Sequence, residues 1–322
     1  MDRRSFLAAS TAALVSGASG AALAQVTPTE KAPLILGPDP NTRASRFKAP
    51  AGSIDTHTHV FGPVAKYPYA AGRTYTPPEA PLDMFKTLHA KIGVERAVLV
   101  NATVHGRDNR PVIDAIATSN GAYKGIGTID GDFTDRELED LARGGLMGCR
   151  FIFIARLGGM PDLADFDRLM DRIKGLGWVV DLYVDPKALE LMTPRLAKLP
   201  MPYILDHMGS LNVADGIDHP NFQRLIALLK SDEKCWIKLS GPERASAAGA
   251  PFDDVIPFAQ KFIATAPDRL LWGSDWPHPN LKVMPNDGDL IDLVARYAPD
   301  PATQRKLLVE NPERLFKFPK VG

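Results

Sequence analysis

The chain has 322 residues, 45% of them hydrophobic and 24% charged, with 38 Lys plus Arg against 38 Asp plus Glu. That is the composition of a globular protein with a sizeable core, and the balanced charge leaves no field to attract nucleic acid or an anionic membrane, so any anionic ligand must be recognised by local arginines. A barrel of alternating strands and helices takes about 250 residues as one unit, so a single large domain accommodates this length.

The first residues stand apart from the fold. Arg3-Arg4-Ser5-Phe6-Leu7 opens an Ala-rich apolar run, and Ala22-Leu23-Ala24 before Gln25 has the small-x-small pattern of a cleavage site. Consecutive arginines followed by Phe-Leu resemble a twin-arginine export signal, which places the mature protein in the periplasm. The run is too short and too rich in Ala, Gly and Ser for a stable membrane span. Residues 25–50, with several prolines and no clear periodicity, read as an arm leading into a barrel over residues 51–322.

Residues 53–60 read as a buried strand in which alternate residues share a face, so His57 and His59 point the same way. Two imidazoles so placed bind a divalent metal or polarise a carbonyl without one. An isolated pair of this kind would as readily be two satisfied histidines; here Asp55 precedes it and Phe61-Gly62-Pro63 closes the strand. The Pro- and Tyr-rich residues 62–81 form a long connector, a candidate lid. A helix follows, with Met84, Leu88 and Ile92 spaced for its inner face.

From there a short apolar run, a polar corner and an amphipathic helix alternate. Strands are expected at residues 96–103, 123–130, 147–154, 178–185, 202–209, 235–241 and 270–277, with helices over 166–176, 221–230, 256–266 and, to close the chain, 301–318. With the first strand this is the pattern of a (β/α)8 TIM-like barrel. An open doubly wound sheet has less support, because no Gly-x-Gly-x-x-Gly follows a strand. Cys149 and Cys235 fall in separate, non-adjacent strands and read as small buried hydrophobes rather than a disulfide.

Chemistry in such a barrel sits at the C-terminal ends of the strands, and reactive residues gather there. Asp275, in Gly273-Ser274-Asp275-Trp276-Pro277, is a carboxylate beside an indole, suited to act as a base towards water. His207 ends the sixth strand in Asp206-His207-Met208-Gly209. Arg150 is a charge inside an apolar strand and must meet either an internal carboxylate or an anionic ligand, the ligand being preferred. Arg244 lies on the loop after the seventh strand, and Asn101, Thr103 and Tyr183 lie at other strand ends. Arg107 and Arg156 stay open. His89, His105, His219 and His278 read mostly as surface or loop histidines, with His278 the exception to watch.

Asp55-x-His57-x-His59, Asp206-His207-Met208-Gly209 and Gly273-Ser274-Asp275-Trp276-Pro277 resemble the amidohydrolase superfamily, in particular its branch of small lactonases that includes 2-pyrone-4,6-dicarboxylate lactonases. The likeness covers residues 50–318. It implies that Asp275 takes the proton of the attacking water while His57, His59 and His207 polarise the lactone carbonyl. It also implies that Arg150, Arg244, Tyr183, Tyr75 and Thr103 hold substrate carboxylates. Metal-dependent members carry Lys or His at the end of the fifth strand, where this chain has Tyr183, so no cofactor is implied, with a single zinc left open. Members often carry a basic residue after Asp-His-x-Gly, where this chain has Ser210, which leaves the identity of the anionic lactone open. The expected function is hydrolysis of a lactone. The alternatives are a metal-dependent hydrolase or non-oxidative decarboxylase of the same superfamily, and an exported protein that only binds anions.

Overall fold

The computed structural model describes residues 32–157 and 161–321. The expected export signal and the first residues of the arm lie outside that range. Eight parallel strands run β1 (Ile54–Thr58), β2 (Arg96–Val100), β3 (Tyr123–Gly127), β4 (Leu146–Phe153), β5 (Val179–Val184), β6 (Tyr203–Leu205), β7 (Cys235–Leu239) and β8 (Leu270–Trp272). They pair in chain order in one sheet, with helices between, as a (β/α)8 barrel. Cys149 on β4 and Cys235 on β7 are buried free thiols.

The sheet closes on itself between β8 and β1. The amide of Asp275 donates to the carbonyl of His57 at 2.8 Å, and that of His59 donates to the carbonyl of Trp276 at 2.8 Å. Asp55 ties the same junction from the side: its carboxylate accepts the Ser274 hydroxyl at 2.5 Å and the backbone amides of Ser274 and His57, each at 3.0 Å. Gly273 is what lets the strands come so close, since a Cβ there would sit 2.6 Å from the Cβ of His57 and 2.7 Å from its backbone nitrogen.

Side chains fill the barrel in layers. Ile54, Val98, Ile126, Val179, Ile204, Trp236 and Leu271 form an apolar floor, closed by Leu315, Phe316 and Phe318 from the C-terminal segment. Two residues further along their strands come Asp181, Asp206 and Lys238, so the period of the strand carries charge inward directly above the floor. Ile54 and His57 both face inward although an odd number of positions separates them. The pairing of β1 with β2 shifts between Asp55 and Thr58, and that irregularity supplies the change of face.

Outside the barrel, the helix Leu82–Ile92 buries Phe85, Leu88, His89 and Ile92. This corrects the expected inner face, because Met84 is 42% exposed and Phe85 takes the position assigned to it. The arm packs on the domain: Asp292 accepts the Ser45 hydroxyl at 3.0 Å and the amides of Arg46 and Phe47, each at 2.8 Å. Among the described residues no helix is long and apolar enough to cross a membrane.

Gly273→Ala should strain the junction of β8 with β1, because the atoms it meets are backbone and Cβ of His57 and cannot swing aside. A loss of about 1–3 kcal/mol is expected, read as a lower denaturant midpoint together with reduced activity. A variant as stable and as active as the parent would contradict this account of the closure.

Candidate active site

The C-terminal ends of the strands bring the candidate residues together. The Nε2 atoms of His57, His59 and His207 lie 3.6, 3.5 and 3.9 Å from the same oxygen, Oδ1 of Asp275. Burial of all four groups is essentially complete. Backbone strain aims two of them: φ is 65° at Asp275 and 48° at His207. His207 opens a left-handed run through Met208, Gly209 and Ser210, of which only the glycine adopts such values freely. The short strands β6 and β8 therefore end in turns that fold these side chains over the barrel mouth.

The arginines are engaged within the protein. Arg244, in the short helix Pro242–Ala245 rather than a loop, donates from Nε and Nη2 to Oδ2 of Asp275 at 2.8 and 2.6 Å. Arg150 corrects the preference for a ligand partner: its Nε and Nη2 lie 3.0 and 2.8 Å from Oδ2 of Asp206. A buried guanidinium needs a counter-charge, and the end of β6, two strands away in the sheet, supplies one. Arg150 nevertheless lines the site alongside Tyr75 and Thr103, whose hydroxyls meet at 3.3 Å. The guanidinium of Arg150 also lies over the ring of Tyr183, 5.4 Å from its centroid.

Two adjoining spaces lead to Asp275. A throat of about 30 Å³ is bounded by His59, His207, Asp275, Tyr75 and Thr103, room for a single ordered water among polar groups. It opens into a cavity of about 610 Å³ lined by Tyr183, His207, Ser210, Arg244, Arg156 and Lys282. Arg156, left open in the sequence, thus faces the cavity, where its Nη2 donates to the Tyr183 hydroxyl at 3.3 Å. Arg107 instead pairs at the surface with Asp130 and Asp132.

Beneath the site lies a charged layer that sequence reasoning missed. Lys238 on β7 is fully buried, with Nζ 2.6 Å from Asp181, 3.0 Å from Asp206 and 3.0 Å from Nδ1 of His57. The signal was the one that singled out Arg150, a charge inside an apolar strand. His89 and His105, expected near the surface, are buried as well, His89 with Nε2 3.5 Å from Asp55 and His105 with Nε2 3.3 Å from the Val60 carbonyl. His278 is buried too and meets Asp287 at 3.0 Å, whereas His219 caps the helix Pro220–Ser231 at its N-terminus.

Electrostatics separate the groups. Burial alone would raise the carboxyl of Asp275, but the Arg244 guanidinium and the surrounding imidazoles hold it well below the usual carboxylate range. Asp206 behaves alike, burial being outweighed by His57, Lys238 and Arg150. Burial and the Asp206 charge push Asp181 up to about 8, against the pull of Lys238. Desolvation lowers His57 well below its ordinary value and His207 to about 3, so both rings are neutral at neutral pH.

His57, His59 and Asp275 offer three ligand atoms within 4.8 Å of one another, the minimum for a divalent ion. Their surroundings do not suit one. Arg244 already holds the other oxygen of Asp275 at 2.6 Å, Lys238 stands behind His57 at 3.0 Å, and the fifth strand contributes Tyr183 instead of a strong donor. A cation there would face positive charge on two sides.

The matched motifs and the barrel agree with comparison against known proteins, whose amidohydrolase profile covers residues 54–318. The chain belongs to the amidohydrolase family. This amidohydrolase is 44% identical to a 4-sulfomuconolactone hydrolase of Rhizobium radiobacter over 288 residues, 88% of this chain and 96% of that one. It is 40% identical to a 2-pyrone-4,6-dicarboxylate hydrolase of Comamonas testosteroni over 299 residues, 89% and 97% of the two chains. Among solved structures it resembles a protein from Acinetobacter baumannii described as a probable 2-pyrone-4,6-dicarboxylic acid hydrolase with citric acid bound. The TM-score is 0.73 at 29% identity, over 83% of this chain and 100% of that one.

Neutral buried histidines make this amidohydrolase acid-sensitive. His207 and His105 sit near 3 and 4 in the folded state against an ordinary 6.5, so the unfolded chain binds their protons first and stability falls as pH drops below 6.5. Each contributes about 1.4 kcal/mol per pH unit across that window. Urea midpoints should therefore fall between pH 7 and pH 5, and His207→Gln should flatten the slope; a midpoint independent of pH would refute the assignment.

Proposed function

We propose that this chain is a metal-independent lactonase that opens the ring ester of a lactone bearing carboxylate or sulfonate groups. The observation that carries the reading is one ionised oxygen, Oδ1 of Asp275, ringed by three imidazole nitrogens at 3.5–3.9 Å, with a throat of water size bounded by Asp275, His59 and His207. Support comes from the cations at the cavity mouth, Arg156, Arg244 and Lys282, and from relatives whose named substrates are anionic lactones.

In this reading a water in the throat gives a proton to Asp275 as its oxygen bonds to the lactone carbonyl carbon. The carbonyl oxygen becomes an oxyanion and is met by imidazole N–H groups, led by His57. Collapse of the tetrahedral intermediate breaks the ring C–O bond, and the departing oxygen recovers the proton, leaving a hydroxy acid or its keto tautomer. Paired to Arg244, Asp275 is a weak base. A substrate carboxylate or sulfonate that draws Arg244 to itself would relieve that pairing and raise the basicity of Asp275 as it binds. Tyr75, Thr103, Tyr183 and Arg150 complete the walls, and Ser210 leaves room beside His207.

The test is a panel of carboxylated and sulfonated lactones with acid release as the readout. Asp275→Asn should lower kcat by about 10²–10⁴-fold with the fold intact, and Arg156→Met should act mainly on KM. Activity that persists through chelation, in protein free of metal by elemental analysis, is expected; activity lost on chelation and restored by a divalent ion would favour the metal-dependent reading. Saturable ligand binding without product would favour a binding protein.

We further propose that the protein acts in the periplasm, on the strength of Arg3-Arg4 and the Ala22-Leu23-Ala24 site. Replacing both arginines by lysine should retain it, uncleaved, in the cytoplasm. Equal periplasmic yield from parent and variant would count against twin-arginine export.

A further inference from the structure

We propose that Lys238 is a positioning residue for this hydrolysis: by donating to Nδ1 of His57 it fixes that imidazole in the tautomer whose Nε2 carries the hydrogen, so that His57 meets the carbonyl oxygen as a donor. The proposal rests on the lactonase reading for its consequence in catalysis, but the tautomer itself is set by the protein alone.

Two neighbours compete for Nδ1 of His57. Lys238 Nζ lies at 3.0 Å, within hydrogen-bonding distance and angle of the ring nitrogen. Oδ1 of Asp206 lies at 3.1 Å, yet this oxygen takes part in no aligned hydrogen bond. A ring N–H is confined to the plane of the imidazole, so alignment decides between them. An ammonium has three hydrogens and no lone pair, and towards it Nδ1 can only accept. The remaining nitrogen, Nε2, is buried with no hydrogen-bond partner in the protein and lies 3.6 Å from Oδ1 of Asp275. It therefore carries the hydrogen.

His59 is set the other way. Its Nδ1 lies 2.8 Å from the carbonyl oxygen of Val100, which can only accept, so Nδ1 holds a hydrogen, and its Nε2 lies 3.5 Å from Oδ1 of Asp275. The two histidines of the first strand are thus set by different groups behind the ring, Lys238 for His57 and the Val100 carbonyl for His59. His57 donates to the developing oxyanion. Neither setting is a property of the His-x-His pattern; each comes from the group behind the ring.

The arrangement also explains an otherwise costly feature. A lysine with no exposed surface is held among Asp181, Asp206 and His57, where an apolar side chain would satisfy the barrel core without desolvating a charge. Were Lys238 removed, Nδ1 would take the hydrogen and donate to Asp206 3.1 Å away, and Nε2 would point a lone pair at the oxyanion.

The unmutated protein decides the point without substrate. Long-range proton–nitrogen correlation spectra of histidine-labelled protein, with His57 and His59 assigned through His57→Gln and His59→Gln, should show hydrogen on Nε2 of His57 and on Nδ1 of His59. Hydrogen on Nδ1 of His57, or on both its nitrogens, overturns the proposal. In Lys238→Met the His57 pattern should invert, and kcat should fall by about 100-fold with KM nearly unchanged. A folded variant that keeps its kcat within threefold overturns the role in catalysis, and if that variant fails to fold, the spectrum of the parent still decides. A protein that hydrolyses no lactone in the panel would defeat the functional reading and leave the His57 assignment measurable.

Discussion

Burying charge inside a barrel is the constraint that shapes this molecule. Three carboxyl groups, Asp181, Asp206 and Asp275, and three cations, Arg150, Lys238 and Arg244, occupy the space between the apolar floor and the cavity, and each cation contacts one of the two strongly acidic carboxylates, Asp206 or Asp275. An unpaired ion at that depth would cost several kcal/mol, so removing one member leaves its partner exposed to that penalty. The layer consequently behaves as a unit. It also orients the histidines above it, since His57 touches both Lys238 and Asp206 while Asp275 is shared by Arg244 and three rings.

Rigid support of this kind suits a reaction in which negative charge builds up on a single oxygen for a short time. The donors and the carboxylate stand in place before substrate arrives, so little reorganisation is needed at the moment of bond formation. Recognition is left to the more accessible rim, where Arg156 and Lys282 are exposed and Ser210 is small. Within one family, then, the interior can stay constant while rim residues set which anionic ring is accepted, in keeping with relatives that share the architecture and differ in named substrate.

Much of this was legible in the sequence because strands and helices announce themselves by period. All eight strands fall where short apolar runs lie between amphipathic segments, and the histidines and Asp275 sit at their ends. What was not legible is pairing across the barrel. Arg150 announced a need for a counter-charge, but nothing local says that Asp206, two strands away and 56 positions later, supplies it. Lys238 and Asp181 carried the same signal within their own apolar runs and passed unremarked. Helical spacing gave a correct helix but a face rotated by one residue, since Phe85 and Met84 are both apolar and only packing selects between them. Likewise the burial of His89 and His105 depends on what covers them, Asp55 and the Val60 carbonyl, both from the first strand region.

The two backbone hydrogen bonds that shut the ring belong to the residues at its centre of reactivity, His57 with Asp275 and His59 with Trp276. Any breathing of that seam is at once a misalignment of the carboxylate against the imidazoles. Heat tolerance and turnover are thus governed by the same few ångströms, and selection acting on either property acts on both.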